Sequence, residues 1–146
     1  MKRLLVVGAA LLMLGCSPDT ADQAEIVEQA KEFGDITLPA DAEVLQARHD
    51  RGPDVMYHMA IKTTPDGADQ IVEASSLEPQ PDSDALPGMI YTVGPLAGPA
   101  LQPSPQVRSW RQRHTNSAGE AISRAVTVDS RESPTVYVHL TLSTVS

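Results

Sequence analysis

Residues 135–145 alternate without a break: Val136, Val138, Leu140 and Leu142 fall on one side, and Thr135, Tyr137, His139, Thr141 and Ser143 on the other. A period of two marks a strand with one covered face, and a slip of one residue would turn every aliphatic side chain to water. This run therefore demands a sheet with a roof over one face. Leu140 is expected in the core, and Thr141 is expected to point away from it. Residues 55–63 repeat the pattern, with Val55, Tyr57, Met59 and Ile61 opposed to Met56, His58, Ala60 and Lys62. Residues 43–49 have strand character without clean alternation, and Asp50-Arg51-Gly52-Pro53 between them is a turn cluster. These two runs read as a β-hairpin. Residues 122–129, with Ile122, Val126 and Val128 on one face, pair with 135–145 as a second hairpin.

The roof must come from helices. Thr64-Pro65-Asp66 has a capping residue, a proline at the first helical position and an acid near the positive end of the dipole. A short helix over 64–76 would turn Ala68, Ile71, Val72, Ser75 and Leu77 inward, with Gly67 weakening its first turn. A second helix is expected over 22–33. Ile26, Ala30 and Phe33 form a narrow stripe there, Gly34 is the expected C′ residue, and Thr20 and Gln23 stand at capping-box spacing. Residues 17–21 read as a polar tether.

Between 78 and 105 stand seven of the chain's 12 prolines, so long regular structure is not expected there. Only residues 89–93 could form a short strand, and 107–114 is a weak strand candidate. The expectation is an α+β fold. Its antiparallel sheet is built from two hairpins, packed by one or two short helices and joined by a Pro-rich loop over 78–105. The organisation reads as 1–15, a targeting segment; 16–34, cysteine, tether and short helix; and 35–146, a single domain.

The targeting segment is itself patterned. Lys2 and Arg3 precede an unbroken apolar or small run from Leu4 to Leu14, too short to span a bilayer, which takes about 20 residues, but suited to a signal peptide. It ends Leu12-Met13-Leu14-Gly15-Cys16-Ser17. This stretch resembles the lipobox of bacterial prolipoproteins. Gly15 and Cys16 match that pattern, while Met13 and Leu14 depart from its favoured residues. The resemblance implies a diacylglyceryl group on the Cys16 thiol, cleavage before Cys16 by signal peptidase II, and residence in the cell envelope as a membrane-anchored chain. Ser17 is not the aspartate that retains some lipoproteins at the inner membrane, so outer-membrane sorting is permitted. The acidic chain after the lipobox resembles uncharacterised small bacterial lipoproteins, which implies no activity.

Composition narrows the partners. One cysteine in 146 residues excludes an intrachain disulfide and any multi-cysteine metal site. With 11 Lys and Arg against 19 Asp and Glu the net charge is −8, and it becomes more negative once Lys2 and Arg3 leave. Such a chain is repelled by nucleic acid.

Signs of chemistry are sparse. His49, His58, His114 and His139 show no HxH or HxxxH spacing and read as solvent-facing or capping residues rather than zinc ligands. Asp82-Ser83-Asp84 with Gly88 lacks the remaining ligands of a calcium loop. No nucleophile elbow, P-loop, dinucleotide fingerprint or HExxH is present. No catalysis, cofactor or metal is therefore expected. The one local feature with recognition character is Arg108-Ser109-Trp110-Arg111-Gln112-Arg113. Arg and Trp are enriched at interface hot spots, so Arg108, Trp110, Arg111 and Arg113 are candidate contacts for an anionic envelope protein or wall polymer. The opposing expectation places Trp110 in the core and pairs the arginines with acids. Three readings compete: a lipid-anchored binding or structural module, an envelope inhibitor or immunity-type protein meeting a cationic partner, and an enzyme whose site has no sequence signature.

Overall fold

The computed structural model describes residues 18–80 and 95–145. Their element order is α1 (Pro18–Gly34), β1 (Glu43–Arg51), β2 (Val55–Thr63), α2 (Pro65–Ala74), β3 (Val107–Thr115), β4 (Ala121–Asp129) and β5 (Val136–Thr144). The five strands form one antiparallel sheet in the order β1-β2-β5-β4-β3. This is the α+β fold expected from the alternation. The chain's last strand is the central one, because the hairpin β4–β5 folds back to place β5 against β2. The weak candidate at 107–114 is a full strand, and it makes β3-β4-β5 a three-stranded meander.

Both helices cover one face. Its core comprises Met59 and Ile61 of β2, Val138, Leu140 and Leu142 of β5, Val126 and Val128 of β4, and Trp110 of β3. The uneven pattern of β1 has a physical cause. The register shifts between Val44 and Gln46, so one extra residue is inserted and the two ends of the strand are out of phase.

The N-terminal helix differs from expectation at both ends. It begins at Pro18, a favoured first position, so the stretch read as tether is largely helical and Thr20 lies inside the helix rather than capping it. Gln23 is used elsewhere: its amide bonds both the N–H and the C=O of Ala47, at 2.8 Å each. That contact blocks the outer edge of β1, as another strand would. Gly34 is the last helical residue rather than C′, and it is buried where a Cβ would overlap Leu142 Cδ1. Asp35 takes the left-handed conformation instead, at φ 51°, and Ile36 N–H closes the turn on Lys31 O. Ala30 is in the core and Ile26, Val27 and Phe33 pack against it, so α1 belongs to the domain.

α2 follows the sequence closely. Thr64 Oγ1 caps Gly67 N–H, and Ala68, Ile71, Ser75 and Leu77 are buried. Gly67 has a reason beyond propensity, since a Cβ there would overlap Thr63 Oγ1. The end repeats the device of α1: Ser76 sits at φ 51° and Leu77 N–H bonds Val72 O. Leu77 lies under Trp110 on the helix side, whereas Gly98 lies against the Tyr137 ring on the opposite side. The short strand suggested at 89–93 and the Asp82-Ser83-Asp84 stretch lie outside the described residues.

Candidate functional site

Three groups of polar side chains stand out, and they differ in what they can do.

The first is buried under the helices. Arg124 is 0% exposed on a face where the alternation of β4 places Ile122, Val126 and Val128. It donates to Gly34 O at 3.1 Å, Ser75 O at 2.9 Å and Ser76 O at 2.8 Å. These carbonyls end α1 and α2, where the helix dipoles leave partial negative charge. One guanidinium thus closes two helix C-termini. Gln112 Nε2 also donates to Ser76 O at 3.0 Å, and Trp110 Nε1 donates to Leu77 O. Burial pushes the Arg124 guanidinium down to about 10, so it stays charged at neutral pH. Alternation alone could not find this site, because it counts an arginine as an outward residue. The relevant signal was a lone charge inside an otherwise aliphatic face.

The second group is on the opposite face, where sequence reasoning expected solvent. His58 is 4% and His139 2% exposed, which corrects the expectation that both face water. They stand on neighbouring strands: His58 opposes Thr141, and His139 opposes Ala60 on one side and Thr127 on the other. Asp50 Oδ2 lies 3.2 Å from His58 Nε2, and Thr141 Oγ1 lies 3.1 Å from His58 Nδ1. A carboxylate only accepts, so Nε2 carries the proton and Nδ1 accepts from the Thr141 hydroxyl. Burial pushes the His58 imidazole below its ordinary range, and Arg48 adds to this; Asp50 opposes it. Burial also lowers His139, against Asp129, and its Nε2 has no hydrogen-bond partner.

Hydroxyl, imidazole and carboxylate in sequence is the connectivity of an activated nucleophile. The surroundings do not complete it. Thr141 lies on the central strand, whose backbone N–H groups are spent in ladders to β2 and β4, so the adjacent backbone supplies no oxyanion donors. The relay instead ties β1, β2 and β5 together. Among the described residues no three His, Cys, Asp or Glu side chains converge as metal ligands.

A further pair of contacts fastens the helix layer to the β3–β4 hairpin. Asp35 accepts from His114 Nε2 at 2.7 Å and from Ser117 Oγ at 2.7 Å. Burial would raise the Asp35 carboxyl, but these hydrogen bonds together hold it below its ordinary range. His49 stacks on Tyr57 at 4.3 Å. An open depression of about 280 Å³ beside Thr37, Pro39, Gln70, Glu73 and Ala74 gathers no pair of titratable groups.

The third group is the basic run of β3. Trp110 is 1% exposed and fills the core, so it offers no surface to a partner, which corrects its candidacy as a contact. Arg108, Arg111 and Arg113 are exposed along the same edge strand, with the Arg108 guanidinium 5.9 Å above the Trp110 ring. Cys16 lies outside the described residues. No helix among the described residues is long and apolar enough to cross a membrane. No protein-family model, curated protein or solved structure matches this chain.

Proposed function

We propose that this chain is a lipid-anchored protein of the cell envelope, a non-catalytic binding or structural module held at the membrane through Cys16. The observation that carries the reading is the N-terminal run: Lys2-Arg3, the apolar stretch to Leu14, then Gly15-Cys16 with the chain's single cysteine. Thioether acylation needs a thiolate nucleophile, and several acyl chains hold a domain at a bilayer firmly where one does so only marginally. One feature favours a non-catalytic reading: Thr141 lies on the central strand, so the Asp50–His58–Thr141 relay has no backbone oxyanion donors beside it.

The test is metabolic labelling with radioactive palmitate in a bacterial host, followed by membrane fractionation. Wild-type chain should carry label and sediment with membranes. Cys16→Ser should carry none and lose the membrane association. Equal labelling of the two, or an unlabelled wild-type chain, overturns the reading.

A further inference from the structure

The direction of α1 decides which side of the domain would meet a membrane. Its residues touch successive strands. Gln23 bonds the outer edge of β1 at Ala47, and the Phe33 ring lies 5.3 Å from Tyr57 of β2. Gly34 lies against Leu142 of β5, and its carbonyl accepts from Arg124 of β4. From Gln23 to Gly34 the helix rises roughly 16 Å at about 1.5 Å per residue. β1 and β4 stand roughly 14 Å apart at about 4.8 Å per strand. α1 therefore runs across the strands rather than along them, and residues 18–22 overhang the β1 edge. That overhang adds roughly 8 Å of helix. Cys16 stands two residues before Pro18, at most about 7 Å of chain. Its thiol is thus confined within about 15 Å of Gln23. β3 is the opposite edge of the sheet, roughly 19 Å beyond β1.

The side nearest the cysteine has a surface of its own. The turn that joins β1 to β2 is exposed throughout residues 51–55. Val55, at 37%, is the exposed large hydrophobic among the described residues, and it stands opposite Arg51. Charges of both signs follow one another here, in Glu43, Arg48, Asp50, Arg51 and Asp54, with Arg48 and Asp50 paired at 2.8 Å. An edge of mixed sign matches a zwitterionic headgroup. A guanidinium meets the lipid phosphate, a carboxylate meets the ammonium, and a small aliphatic side chain enters the interface. The helix layer is a poor alternative, because α1 and α2 hold eight acids against Lys31 and membrane surfaces are neutral or negative.

We propose that the β1 edge and the β1–β2 turn rest on the phospholipid headgroups of the membrane that carries the anchor, held there by a link too short to let the domain stand away. This inference rests on the acylation of Cys16. Headgroup affinity is not what recruits the edge. Confinement is, since a tether of this length keeps the edge at a high effective concentration beside the bilayer.

The test uses single-cysteine labelling. Acylation consumes the chain's one native thiol, so an added cysteine is the one site that a maleimide fluorophore can enter. Gln46 and Arg113 are exposed, and a Cβ at Gly52 meets nothing nearer than Asp54 O at 3.9 Å. The mature chain, checked by mass for the diacylglyceryl group, is reconstituted in vesicles of phosphatidylethanolamine and phosphatidylcholine that carry nitroxide on their headgroups. Quenching of the fluorophore is the readout. Gln46→Cys and Gly52→Cys should lose about half of their emission or more, and Arg113→Cys, roughly 19 Å further from the anchored edge, about a tenth or less. Inserting about twenty Gly and Ser residues between Ser17 and Pro18, a coil that spans about 25 Å, should bring all three positions to the low value. Equal quenching at the three positions, stronger quenching at Arg113→Cys, or quenching at Gln46→Cys and Gly52→Cys that survives the insertion each overturns the proposal. A chain without the acyl mass overturns the lipoprotein reading and this inference together, whereas an acylated chain with equal quenching overturns this inference alone.

Discussion

Replacing Arg124 by methionine should be among the most damaging single changes in this protein. The side chain is 0% exposed and holds three carbonyls, those of Gly34, Ser75 and Ser76. Hydrogen bonds from a charged donor contribute about 1.5–3 kcal/mol each, a gross loss of roughly 4–9 kcal/mol. Against this stands the desolvation of the guanidinium, which methionine avoids and which is several kcal/mol. The orphaned carbonyls decide the balance. They belong to helix ends whose following residues, Asp35 and Ser76, already hold φ 51°, a conformation costing about 1 kcal/mol or more away from glycine. A net loss of about 3–5 kcal/mol is expected, the range for breaking one side of a buried charge interaction. In a domain of this size that is a fall in melting midpoint of about 12–20 °C. Arg124→Lys should recover only a minor part, since one ammonium cannot reach carbonyls on both helix ends. Thermal and urea denaturation followed by circular dichroism measures both variants. A methionine variant as stable as wild type would refute the argument, because it would mean that burying the charge costs as much as its three bonds return.

Three further perturbations follow from the same geometry. Leu140→Ala should lose about 2–5 kcal/mol as a buried truncation, and Thr141→Ala about 1 kcal/mol, since its hydroxyl bonds His58; urea midpoints that place the two variants together would contradict the facing assigned to β5. His58 and His139 both titrate below the ordinary histidine range because they are buried. The unfolded chain then takes up protons first as pH falls below about 6.5, so stability is full above that value and declines beneath it. His139→Gln should flatten the decline between pH 7 and pH 5, and an unchanged slope in urea titrations would remove His139 from the account. Gly67→Ala forces a Cβ onto Thr63 Oγ1 and should lower stability by about 1–3 kcal/mol despite alanine's better helix propensity; a more stable variant in thermal denaturation would show that the turn relaxes.

The alternation of 55–63, 122–129 and 135–145, the cap at Thr64 and the inward stripe of α2 were all legible in the residues. These features rest on local periodicity and local hydrogen bonds, which a sequence states directly. The acylation proposed for Cys16, likewise, rests on adjacent residues alone. What the tertiary structure decided was where long-range partners meet. Arg124 lies inside because two helix ends, one starting from Gly34 and one from Ser75, converge on a single point of β4. Trp110 turns inward because the chain after α2 brings Leu77 O to its indole. His58 and His139 share one buried face because the last strand inserts between β2 and β4. That pairing joins residues more than 70 positions apart, and each histidine's own strand gives no sign of which strand will stand beside it. Residues 43–49 alternate poorly for a reason only pairing reveals, the extra residue between Val44 and Gln46. Period and caps specify the elements, whereas the buried polar groups specify their assembly, because an unpartnered charge or imidazole has one acceptable neighbour and that neighbour is remote in the chain.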